Sequence, residues 1–251
     1  MTLITSWITP KFKIIASDSR TSGAFFVCND FQKVFSNKEF AVGLFGGFDT
    51  NILLFRKVKM ISNVISDENW DIDRFKSEIS SFLKNNQNSI ANNELVAKIL
   101  VIPRIDEPFI LKISPDKKIE EINLIDYKKV HQKELPPDIF FSEQKIPITC
   151  EVDFIYQHNL LKQFEKSKDE AEFDMDSPSP DAVEKLVKHF YSAVYHEQIL
   201  YKKHIGGDKI FLAYSLNGGL WIQKDITPIA YPEYCDKQPK SISDINFPSN
   251  L

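Results

Sequence analysis

Cysteine is scarce in this chain: 3 among 251 residues, at Cys28, Cys150 and Cys235, odd in number and far apart. No CxxC pair occurs. The usual sequence basis for a structural zinc site or a disulfide framework is therefore missing, and a reducing, cytoplasmic setting fits best. A run of about 18 apolar residues is also missing, so no transmembrane helix is expected. The N-terminus lacks the basic and long apolar regions of a secretory signal. Positive charge is not in excess either: 31 Lys and Arg face 35 Asp and Glu, for a net charge of −4 with the signs mixed along the chain. That gives no electrostatic case for nucleic acid or for an anionic membrane. His189 and His196 read as packing or solvated polar residues. Neither a metal nor a cofactor is expected.

What is present is an ordinary globular composition, 43% hydrophobic and 26% charged, at a length that suits one sizeable domain or two small ones. Leu3 to Ile8 and Phe12 to Asp18, joined across Pro10 and Lys11, read as a hairpin. Ala24 to Cys28, Phe31 to Phe35 and Phe40 to Phe45 read as further short strands. Their apolar runs are nearly continuous, as in a sheet covered on its outer face. Leu54, Val58, Ile61 and Ile65 form a helical stripe, and a second helix follows Asp71 with Phe75, Ile79 and Phe82 on one side. Strands return at Val96 to Pro103, Pro108 to Ile113 and Lys117 to Leu124. Lys128 to Ile148, broken by Pro136, Pro137 and Pro147, reads as loop with short extended pieces.

Val152 to Phe164 is near helical spacing, and Lys166 to Pro180 reads as an acidic linker. The clearest helix starts at Pro180, with Asp181 and Glu184 in a capping-box pattern and Val183, Leu186, Val187, Phe190 and Val194 as its stripe. Ile210 to Ser215 and Leu220 to Gln223 flank Asn217, Gly218 and Gly219, a strong hairpin signal. Strands grouped with strands and helices with helices predict an α+β fold. The expected form is a four-layer αββα sandwich of two mostly antiparallel sheets.

Chemistry concentrates in the first 47 residues. Thr2 lies one step from the chain start, Asp18 and Lys33 end apolar runs, and Gly46 and Gly47 close the last strand. These can be read as nucleophile, orienter, charge partner and oxyanion cradle. Each also has an ordinary reading: a permissive second residue, a surface ion pair, glycines that end a strand.

At these residues the chain resembles proteasome β-subunits and the related bacterial two-ring threonine peptidases, members of the N-terminal nucleophile (Ntn) hydrolases. Their pattern is an N-terminal threonine and strand, a strand ending in Asp-Ser-Arg, a Lys-Val pair, and a strand running into a Gly-Gly loop. The counterparts here are Thr2, then Asp18, Ser19 and Arg20, then Lys33 and Val34, then Gly43 through Gly47. Gly206, Gly207, Asp208 and the hairpin after them resemble the family's C-terminal half.

The resemblance implies an Ntn hydrolase domain over residues 1–225 with an insertion around 128–180, and a Pro-containing tail over 226–251. It implies that Met1 is removed, that the α-amine of Thr2 serves as base, and that Lys33 and Asp18 tune it. It also implies that Gly46 or Gly47 donates to the oxyanion. Arg20, Ser19 and Asp208 would support the site, and Thr21, Leu44 and Phe45 would shape the substrate pocket. The implied partners are further copies of the chain in a ring, an AAA+ unfoldase ATPase, and a protein or peptide substrate.

The pattern departs at Lys202 and Ile205, where an aspartate and a serine would stand, and a Ser-Gly-rich turn is missing between Glu143 and Phe154. Asp208 or His204 are the candidates to replace the acid. A catalytically inactive scaffold and a small-amide Ntn amidase therefore stand beside the threonine peptidase.

Overall fold

The computed structural model describes residues 3–22, 27–45, 57, 72–85, 97–113, 118–123, 139–141, 147–150, 163–197 and 206–229. The first hairpin pairs β1 (Leu3–Ile8) with β2 (Phe12–Asp18). The chain then runs through β3 (Thr21–Ser22), β4 (Val27–Cys28), β5 (Val34–Ser36) and β6 (Phe40–Phe45). Helix α1 (Ile72–Asn85) leads to β7 (Ala97–Pro103), β8 (Phe109–Ile113) and β9 (Ile119–Asn123). Two short strands follow, β10 (Ile139–Phe141) and β11 (Pro147–Cys150). A helix over 163–170, here α2, precedes α3 (Pro180–Glu197). The closing hairpin is β12 (Ile210–Leu216) and β13 (Ile222–Ile226).

The larger sheet has six strands in the order β10-β11-β1-β2-β12-β13, and the second has five in the order β5-β6-β7-β8-β9. The registers within both are antiparallel. The fold is thus α+β.

Period-2 alternation along β1, β2 and β12 splits the large sheet between two cores. Leu3, Trp7, Phe12, Ile14, Ala16, Ile210, Leu212 and Tyr214 face Phe164 of α2 and Leu186, Val187 and Phe190 of α3. Ile4, Ile15, Phe211 and Ala213 face Val34, Ala41, Leu100 and Ile110 of the second sheet. On the far side of that sheet, α1 buries Phe75 against Phe40, with ring centroids 5.2 Å apart. The sheets therefore pack face to face with helices on both outer faces. Among the described residues no helix is long and apolar enough to cross a membrane.

Three expectations are revised. The strand expected from Phe31 begins only at Val34, because residues 31–33 are drawn toward β2: the Phe31 N–H donates to the Ser19 carbonyl at 2.8 Å, and Lys33 turns inward. Lys166 to Pro180 is not a solvated linker. It is the end of α2 and a tight turn, with Ser167, Ala171 and Phe173 buried and Phe173 packed edge-on against Phe12 at 5.2 Å. Helix α3 is capped by Ser179, whose Oγ accepts the Ala182 N–H at 3.2 Å, with Pro180 in the first turn. The Asp181–Glu184 capping box is thereby displaced by two residues. Asp181 instead pairs with Lys185 at 2.8 Å. The helix expected near Asp49 and most of Lys128 to Phe164 lie outside the described residues.

Candidate active site

Asp18 is the last residue of β2, and its side chain is fully enclosed at 0% exposure. A carboxylate in such a place needs donors. It has three: the Leu3 N–H at 3.0 Å and the Lys33 ammonium at 2.7 Å, both on Oδ1, and the Gly206 N–H at 3.3 Å on Oδ2. Burial pushes the Asp18 carboxyl above its ordinary range, while the Lys33 charge and hydrogen bond, then the Leu3 and Gly206 N–H groups, favour the carboxylate.

Lys33 is 2% exposed and also donates to the Arg20 carbonyl at 2.5 Å. Its own carbonyl accepts the Leu44 N–H at 3.0 Å. The lysine is thus fixed at the backbone by the second sheet and at the ammonium by the first.

The segment 206–208 closes the site from the late part of the chain. The Gly206 carbonyl accepts the N–H groups of Ser19 at 3.1 Å and Arg20 at 2.8 Å. Gly206 and Gly207 have φ of +137° and +116°, in the region that favours glycine. A Cβ on Gly207 would lie 2.2 Å from the Ser19 Oγ and 2.6 Å from the Asn29 carbonyl oxygen, so a side chain there has no room. The second glycine is required by this close approach.

Of the residues singled out from sequence, Asp18, Ser19, Arg20 and Lys33 are brought together. Leu44 is buried in β6, on the strand face shared by Phe40 and Val42, and touches the site through its backbone. Thr21 lies in β3, paired with Cys28, and Phe45 ends β6. Asp208 joins through its backbone, donating its N–H to the Asn29 carbonyl at 2.8 Å, while its side chain is exposed. Partial burial, and then the neighbouring Asp30, push its carboxyl upward. Thr2, Gly46, Gly47, Lys202, His204 and Ile205 lie outside the described residues.

Asn29, Gly206 and Gly207 belong to this network and were missed as site residues. Asn29 gave no motif signal, and Gly206 and Gly207 were matched to the resembled family's C-terminal half without a role of their own in the site. Cys28, beside Asn29, is a buried free thiol whose pKa burial raises to about 12. It is therefore a neutral side chain, not a nucleophile. Among the described residues no cluster of His, Cys, Asp and Glu could hold a metal ion.

No family model and no curated protein matches the chain. Its fold is similar to a solved structure of the helical assembly of the Anbu complex from Pseudomonas aeruginosa. The two are 15% identical, with 90% of this chain and 86% of that one covered at a TM-score of 0.50. An Anbu (Gly-1) mutant from Hyphomicrobium sp. strain MC1 aligns at 13% identity over 90% and 88% of the two chains, with a TM-score of 0.47. The assignment to proteasome β-subunits and two-ring peptidases, drawn from the opening motif, is corrected: the structure to which this fold is similar at a TM-score of 0.50 is of an Anbu complex. The physical reason is that an Asp at the end of β2 and a Lys ahead of β5 are set by where this sandwich's strands end. That spacing reports the fold and not one branch of proteins built on it.

Proposed function

We propose that the chain is an N-terminal nucleophile hydrolase that cleaves peptide bonds with Thr2. Its helix–sheet–sheet–helix layering would then be the Ntn architecture. The observation that carries this reading is the sharing of one carboxylate oxygen. Asp18 Oδ1 accepts both the Leu3 N–H at 3.0 Å and the Lys33 ammonium at 2.7 Å. A buried cation is thereby held beside the backbone one residue from Thr2.

With Met1 removed, the free α-amine, whose ordinary pKa is about 7.7–8.0, takes the Thr2 hydroxyl proton as the oxygen attacks a substrate carbonyl. The tetrahedral oxyanion is received by the N–H of Gly46 or Gly47. On collapse the leaving amine takes the proton from the α-ammonium, which restores the free amine, and water then hydrolyses the Thr2 ester, releasing the carboxylic acid and restoring the hydroxyl. Lys33 lowers the proton affinity of both groups, and Asp18 holds Lys33 in place. Leu44, Phe45 and Thr21 border the substrate side in this reading.

Self-assembly into a homo-oligomer belongs to the same proposal, supported by the likeness to an Anbu structure described as a helical assembly. Native mass spectrometry checks it, with masses expected at multiples of the 29.0 kDa chain less its initiator methionine.

The decisive experiment pairs intact mass with covalent labelling. The purified protein is expected to begin at Thr2 and to take one epoxyketone or β-lactone adduct there, and Thr2→Ala is expected to lose both adduct and hydrolysis. Retained Met1, or a Thr2→Ala variant that still hydrolyses peptides, sinks the reading. Lysine and isoleucine at 202 and 205, where an acid and a hydroxyl were expected, favour the second reading of an inactive scaffold. That reading predicts neither adduct nor turnover.

A further inference from the structure

We propose that Asn29 is a positioning residue of the site, acting through Arg20 on Lys33. The inference rests on the hydrolase reading for its kinetic consequence, but its geometry stands apart from that reading. Asn29 is buried, and its hydrogen bonds join it to residues 19–20 and to residue 208. Its Oδ1 accepts the Arg20 Nε–H at 2.9 Å. Its carbonyl accepts the Ser19 hydroxyl at 2.5 Å and the Asp208 N–H at 2.8 Å.

Arg20 is thereby held at both ends. The Gly206 carbonyl takes its N–H at 2.8 Å, and the Asn29 amide takes its guanidinium. The Arg20 carbonyl, which branches from the same Cα, is the one that accepts Lys33 Nζ. That ammonium has Asp18 Oδ1 as its charged partner, so the direction in which it points depends on where the Arg20 peptide lies.

The backbone bonds of Asn29 survive any substitution. The side-chain bond to Arg20 is therefore the part that a variant isolates.

The test compares the full chain with Asn29→Leu, which keeps the branched shape and removes the acceptor, and Asn29→Asp, which keeps Oδ1. For peptide hydrolysis, Asn29→Leu is expected to lower kcat by about 10- to 100-fold, the scale of a sub-ångström to 1 Å misplacement, with KM within about 2-fold. The pH profile of kcat is expected to move as well, and Asn29→Asp to recover most of kcat. An Asn29→Leu variant with wild-type kcat and pH profile overturns the proposal, as does an Asn29→Asp variant that recovers nothing.

If the protein turns over no peptide, the hydrolase reading fails and NMR decides this proposal. A Lys33 ammonium titration displaced in Asn29→Leu supports it, and an unmoved one overturns it. If Asn29→Leu does not fold, exchange of the Arg20 Nε proton in the wild type decides. Slow exchange supports the proposal, and exchange at the rate of a free guanidinium overturns it.

Discussion

Lys33 and Asp18 are a cation and an anion with almost no access to water, so each is stable only because the other is present. Replacing Lys33 with Met leaves a buried carboxylate with two backbone N–H donors and without its lysine countercharge. The expected cost is about 3–5 kcal/mol at pH 8, read from urea unfolding. The sign of its pH dependence follows from burial raising the Asp18 carboxyl. A carboxyl whose folded pKa exceeds its unfolded one favours the fold while protonated and loses that contribution as pH rises through the folded value. Lys33→Met should therefore be least impaired near pH 5 and most impaired near pH 8. Equal stability to wild type at pH 8 would contradict this picture. Asp18 and Lys33 were legible because their spacing reflects strand ends. Asn29 was not, since two of its three bonds run through its backbone carbonyl and leave no mark on residue type.

At the scale of elements, α3 shows how a helix is fastened to a sheet by more than its apolar stripe. Val183, Leu186, Val187, Phe190 and Val194 are buried, as their spacing predicts. Tyr191 sits among them fully buried, donating its hydroxyl to the Ala16 carbonyl at 2.6 Å and sharing a hydrogen bond with Thr5 Oγ1 at 3.0 Å. Tyr191→Phe keeps the ring and strands both partners, so a loss of about 1–3 kcal/mol is expected, measured by thermal unfolding. An unchanged melting temperature would mean that Thr5 and Ala16 find other partners. The helix was legible from periodicity and from Pro180. The turn before it was not: Ala171 and Phe173 lie among acids and serines without regular spacing. Phe173 is buried against Phe12 on a distant strand. Hairpins joined by tight turns could be read locally, whereas the pairing of β2 with β12 joins residues nearly two hundred positions apart and has no local signal.

The whole molecule is divided by its six-stranded sheet, which serves two cores at once. That division gives the protein an optical consequence. Of its three tryptophans, Trp7 lies in the helix-facing core, 5.1 Å from Phe164 and 5.4 Å from Phe190 between ring centroids, and Trp221 lies in the core between the sheets. With Trp70 replaced by Phe, a further Trp7→Phe or Trp221→Phe change leaves one indole reporting from one side of the sheet. Strands β1, β2 and β12 wall both compartments, so neither core can empty while the other stays packed. The two emission shifts are expected to coincide along a denaturant titration, as in a single cooperative transition. Midpoints that separate would show that the helices peel from one face while the paired sheets persist. The sheet would then be the unit that folds, and the helix layer a cover that closes over it.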